Sequence, residues 1–129
     1  MEINLHLPEN FRATAQVRQH SIFIDEPLSV GGEDTAPTPT ELVAAALAGC
    51  TAITLKMYIQ HKGFSVKNVA VNVKTEQDEK NRITKFIRYI SVEELSADAP
   101  KDRLLKVAEA CPVHKLLAAG TPIETYWAD

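Results

Sequence analysis

The chain has 129 residues and a mass of 14.2 kDa, a length that fits one domain, since domains cluster near about 100–150 residues. Hydrophobic residues at 45% and charged residues at 24% exclude an intrinsically disordered chain. Fourteen Lys and Arg against 17 Asp and Glu give a net charge of −3 and a pI near 5.8. No basic field is left to hold a phosphate backbone, so nucleic acid is not an expected partner.

The segment Met1–Asn10 (MEINLHLPEN) lacks the basic and apolar regions of a secretory signal, which points to the cytoplasm. Apolar residues alternate at Ile3, Leu5 and Leu7, at Phe11, Ala13, Ala15 and Val17, and at Ile22 and Ile24. This period of two predicts two or three antiparallel strands, turning at Pro8–Asn10 and at Arg18–His20. Asp25–Pro39 holds three prolines and two glycines and reads as loop. Its Gly31-Gly32 pair lacks the strand and helix context of a phosphate cradle, so tight turning is the expected role.

Thr38-Pro39-Thr40-Glu41 places a hydroxyl at the N-cap, proline at the first helical position and glutamate two positions on, which predicts a capping box. The helix it opens runs from Pro39 to about His61. Its most apolar part, Leu42–Leu55, spans about 14 residues, short of the roughly 18 that cross a bilayer, and reads as a core helix. Ala45, Ala48, Gly49 and Ala52 make a ridge of small side chains; Val43, Leu47, Cys50, Thr54 and Met57 make the roughly opposite stripe. A helix apolar all round must be covered on every side, which one sheet from this chain can hardly do. An obligate homodimer is therefore expected.

After Lys62-Gly63, a C-cap signal, Val66, Val69, Val71 and Val73 lead through the polar turn Gln77–Asn81 into Ile83–Val92, a long β-hairpin. From Pro100 onward Leu104, Leu105, Val107, Ala108 and Cys111 form a helical stripe that stops at Pro112. Pro112 reads as the first residue of a short helix ending at Gly120, and Thr121–Trp127 (TPIETYW) as a final strand. The whole is a single α+β domain over residues 1–129.

Two cysteines stand out. Cys50 lies mid-helix among Ala46, Leu47, Ile53, Thr54 and Met57, where a free cysteine behaves as a small buried hydrophobe. As a nucleophile it would need an Arg, Lys or His from elsewhere, because it is beyond reach of the helix N-terminal charge. Cys111, in Cys111-Pro112-Val113-His114, sits at an N-cap where backbone N–H groups favour a thiolate, with His114 one turn on. The plain alternative is that this break merely joins two packed helices. A zinc site of Cys50, Cys111 and His114 lacks a fourth ligand, so no metal and no cofactor is expected. His6, His20 and His61 stand singly and are read as surface residues.

The segments Pro39–Cys50 (PTELVAAALAGC), Gly31–Pro39 and Ala110–Lys115 (ACPVHK) resemble the OsmC and Ohr family of thiol-dependent peroxidases, a resemblance running from about Ile22 to Trp127. It implies an OsmC-like fold and an intertwined homodimer whose central helices pack on each other. It implies further that Cys50 attacks an organic hydroperoxide to give a sulfenic acid, that Cys111 resolves it as a disulfide, and that a thiol reductant, whether a lipoyl protein, thioredoxin or a small thiol, restores both. The family pairs an arginine of the N-terminal strands with a glutamate beside the helix-starting proline. Arg12 matches the first, with Arg18 in reserve; Thr40 stands in place of the second. Glu41, the nearest carboxylate, is accounted for by the capping box. Two other functions compete: a non-catalytic module holding an apolar ligand in the dimer cleft, and acyl transfer by a Cys111–His114 nucleophile, for which no group to orient His114 is evident.

Overall fold

The computed structural model describes residues 1–128, which fall into two compact units, Met1–Val43 and Ala44 onward. The first unit is an antiparallel sheet of three strands, β1 (Asn4–Glu9), β2 (Arg12–Val17) and β3 (His20–Ile24), in the order β1-β2-β3. Asn10 and Arg18, both with positive φ, close its two hairpins, as the turn residues predict. The inward side chains of β2, Ala13 and Ala15, are its buried apolar residues.

The following loop contains one 3₁₀ turn, Leu28–Val30. Gly31 has φ 97°, and the backbone packs so closely at Gly32 that a Cβ there would stand 1.9 Å from the Glu26 carbonyl oxygen. The glycine pair is thus a tight turn, as expected.

Helix α1 (Pro39–His61) has the boundaries that the sequence predicts. Its N-terminus is a capping box: the Thr38 N–H donates to Glu41 Oε1 at 2.9 Å and the Glu41 N–H to Thr38 Oγ1 at 3.1 Å. By length and hydropathy α1 is able to cross a membrane, but within the second unit its Leu55 and Ile59 join Leu104 and Ala108 in the hydrophobic core, so it acts as a core helix. The buried line along α1 is Leu47, Thr51, Leu55 and Ile59. The stripe predicted from Val43 to Met57 is only partly covered: Leu47 is buried, while Val43 and Met57 are exposed. A spacing of four residues drifts about 40° per step, so a line that follows the neighbouring elements departs from a stripe drawn on a helical wheel.

Strands β4 (Asn68–Gln77) and β5 (Ile83–Glu93) form a two-stranded antiparallel hairpin turning at residues 78–82. Val69, Val71 and Val73 face Val92, Ile90 and Arg88 across it, and this face is partly covered. Helices α2 (Lys101–Glu109) and α3 (Pro112–Ala119) follow as predicted. One expectation fails: Thr121–Trp127 forms no strand. Alternating apolar residues make a strand only when a neighbouring edge supplies hydrogen bonds. Pro122 lacks a donor, and Ile123, Tyr126 and Trp127 are 88, 82 and 93% exposed.

Candidate thiol site

The second unit brings together residues that lie far apart in the chain. Pro112 cannot continue α2 and opens α3, which leaves Cys111 between the two helices as the N-cap of α3, in extended conformation. Its Sγ accepts a hydrogen bond from the His114 N–H at 3.2 Å. Cys111 is fully buried, Cys50 on α1 is half-buried, and both are free thiols. The Cys50 side chain is near enough to the Cys111 sulfur to favour its thiolate. Thr51, next along α1, places its Oγ1 3.8 Å from that sulfur and donates to the Leu47 carbonyl at 2.6 Å, the back-bond that lets a hydroxyl sit inside an apolar helix.

The cation of this cluster is Arg88 of β5. Its Nη1 donates to Thr51 Oγ1 at 2.9 Å and to the Ala108 carbonyl at 3.4 Å, and its Nη2 lies 3.1 Å from His114 Nδ1. Arginine only donates, so His114 Nδ1 is the acceptor in this contact. Burial pushes the Cys111 thiol up. The His114 N–H, the Cys50 and Thr51 side chains and the charge of Arg88 outweigh it, and the thiol lies below its ordinary value of 9.0. The surroundings of Cys111 thus favour its thiolate.

Of the site residues expected from sequence, Cys50 and Cys111 are brought together. Arg12 lies in the first unit, where its Nη1 donates to Thr35 Oγ1 at 2.6 Å and its guanidinium stacks 4.9 Å from the centre of the Phe23 ring. Thr35 Oγ1 in turn donates to Asp25 Oδ2 at 2.6 Å. Asp25 is 1% exposed. The hydrogen bonds from Thr35 and from the Glu26 N–H lower its carboxyl to about 2, against a smaller opposing effect of burial. A threonine anchored on a buried carboxylate thus holds Arg12. Glu41 is occupied by the capping box.

Arg88 and Thr51 are the site residues that the sequence reading missed. The signal for Arg88 was present: it alternates with Phe86, Ile90 and Val92 on the face of β5 whose other members are apolar. A cation at an apolar position of a strand asks for a partner. Thr51 carried no such signal, because a helix-interior threonine is commonplace.

The protein family described as OsmC-like protein matches residues 31–126. Among solved structures, an osmotic stress-induced and detoxification response protein of Psychrobacter arcticus has a TM-score of 0.77 at 21% identity, over 88% of this chain and 85% of that one. An OsmC-like protein of Mycoplasma pneumoniae has a TM-score of 0.75 at 19% identity, over 91% and 86%. An organic hydroperoxide resistance protein OsmC of Legionella pneumophila has a TM-score of 0.65 at 18% identity, over 90% and 87%. At these identities the likeness establishes the fold. No curated protein matches the sequence.

Proposed function

Because this chain belongs to the OsmC-like protein family, we propose that Cys50 and Cys111 form a redox-active pair that reduces organic hydroperoxides. The observation that carries the reading is the meeting of the Cys50-Thr51 turn of α1 with Cys111, whose sulfur lies 3.8 Å from Thr51 Oγ1 and accepts the His114 N–H at 3.2 Å. Membership in a family whose structural neighbours include organic hydroperoxide resistance proteins supports a role in peroxide stress.

Cys50 is the more accessible sulfur and is assigned the attack. Cys50 passes its proton to the Cys111 thiolate, the Cys50 thiolate attacks the outer peroxide oxygen, and the O–O bond breaks. The departing alkoxide takes the proton back from Cys111, giving a Cys50 sulfenic acid, an alcohol and a Cys111 thiolate. That thiolate attacks the Cys50 sulfur and expels hydroxide, which closes the disulfide. Sulfur loses two electrons and the peroxide gains them. A thiol reductant then cleaves the disulfide by exchange. In the same proposal Arg12 is the cation that serves Cys50, the working form is a homodimer, and the setting is a reducing compartment such as the cytoplasm.

The test is titration of the reduced protein with cumene hydroperoxide beside hydrogen peroxide, read by intact mass. Loss of two hydrogens at one equivalent, faster with the organic peroxide, is expected. Cys111→Ser should leave a trappable sulfenic acid at Cys50. An inert dithiol at excess peroxide overturns the reading.

A further inference from the structure

Arg88 has more hydrogen-bonding capacity than its neighbours use. Its guanidinium carries five N–H groups; three find Thr51, Ala108 and His114. The Nε–H and one Nη2–H have no protein acceptor among the described residues. The ion pairs among the described residues, Lys67–Glu94, Arg82–Asp78 and Lys85–Glu76, do not include Arg88. A half-buried guanidinium without a carboxylate therefore lines a cavity of about 630 Å³ within the second unit, a size in the range of about 300–1,000 Å³ that takes small organic ligands. The other walls are largely apolar, with Leu47, Phe86, Ile90, Leu105 and Leu117 among them. Glu109 and Lys85 also border the cavity; Lys85 is already paired with Glu76.

We propose that this cavity binds a monocarboxylate with an alkyl tail, the head group on the free N–H groups of Arg88 and the tail along the apolar wall. The argument is charge complementarity joined to shape. A guanidinium takes a carboxylate in paired, charge-assisted hydrogen bonds, and a half-buried cation beside apolar side chains gains most from an anion whose remainder is itself apolar. A head group there shares the guanidinium that also holds Thr51 and His114, both neighbours of Cys111. The ligand site and the thiol site are therefore linked through one side chain. The inference rests on cavity and charge and does not require peroxide chemistry.

The experiment is calorimetric titration of the reduced, full-length protein with decanoate, decanol and decyltrimethylammonium in the absence of peroxide. Decanoate is expected to bind at least tenfold tighter than decanol, and the cation not at all. Arg88→Met, which keeps bulk and removes charge, should bring decanoate down to the level of decanol, and Arg88→Lys should restore part of the difference. Equal binding of decanoate and decanol by the wild-type protein overturns the proposal, as does absence of binding or full decanoate affinity in a folded Arg88→Met protein. The wild-type comparison decides the matter even if the variant fails to fold.

Discussion

Arg88 and Cys111 show how single side chains set the chemistry here. A buried thiol ordinarily resists ionisation; this one is met by an N-cap N–H, a neighbouring thiol, a hydroxyl and a guanidinium, and the balance turns toward thiolate. Replacing Arg88 with Met should raise the Cys111 titration, followed by ultraviolet thiolate absorbance against pH, whereas an unchanged midpoint would show that the thiolate is favoured without the guanidinium. Asp25 gives a prediction of opposite character. Its carboxyl is depressed to about 2 in the folded chain, below the ordinary value of about 3.9 in an unfolded one. A depressed folded value means that the stabilisation is complete above the unfolded value and is lost as pH falls from about 4 to about 2. Asp25→Asn should lower thermal stability at neutral pH and flatten its acid dependence in that window; a wild-type-like slope would assign the acid sensitivity elsewhere.

At the scale of elements, α1 owes its start to two reciprocal hydrogen bonds and its position to a line of buried residues. Thr38→Ala removes the acceptor for the Glu41 N–H and should cost about 1 kcal/mol in denaturant unfolding, with Thr38→Ser recovering most of it. The hairpin β4–β5 was legible from its valines and its polar turn, and α2 and α3 from the proline between them. The last predicted strand was not formed, because Pro122 and the absence of a paired edge leave its alternation without a ladder. Periodicity reports what a segment would bury; hydrogen-bond partners decide whether it becomes a strand.

The whole molecule leaves a large apolar surface uncovered. In the first unit Leu5, Leu7, Ile22 and Phe23 are exposed while only Ala13 and Ala15 of its apolar side chains are buried; on α1, Val43, Ile53 and Met57 are exposed as well. So much open apolar surface is unusual for a monomer and supports the homodimer proposal. Gly49 offers a clean test, because a Cβ at that position would meet nothing within 4 Å in the chain itself. In a monomer Gly49→Leu should be neutral or stabilising, since leucine favours helix over glycine by roughly 0.8 kcal/mol. In a homodimer packed along the small-residue ridge it should weaken association, seen by sedimentation as a shift toward monomer. A wild-type protein that sediments as a monomer would end the homodimer reading.

The sequence by itself determined the order and limits of nearly every element, the capping box, the N-cap place of Cys111 and the family, because these depend on neighbours in the chain: proline, glycine, hydroxyls and the period of apolar residues. It also marked both cysteines. What it left open was which groups meet across distance. That Arg88, from the middle of β5, stands over Thr51 and His114, and that Thr35 and Asp25 hold Arg12, follows from strand register and helix docking. No local spacing encodes these. Contacts between residues dozens of positions apart are fixed only when the apolar faces of several elements are buried together, and that is a decision of the tertiary structure.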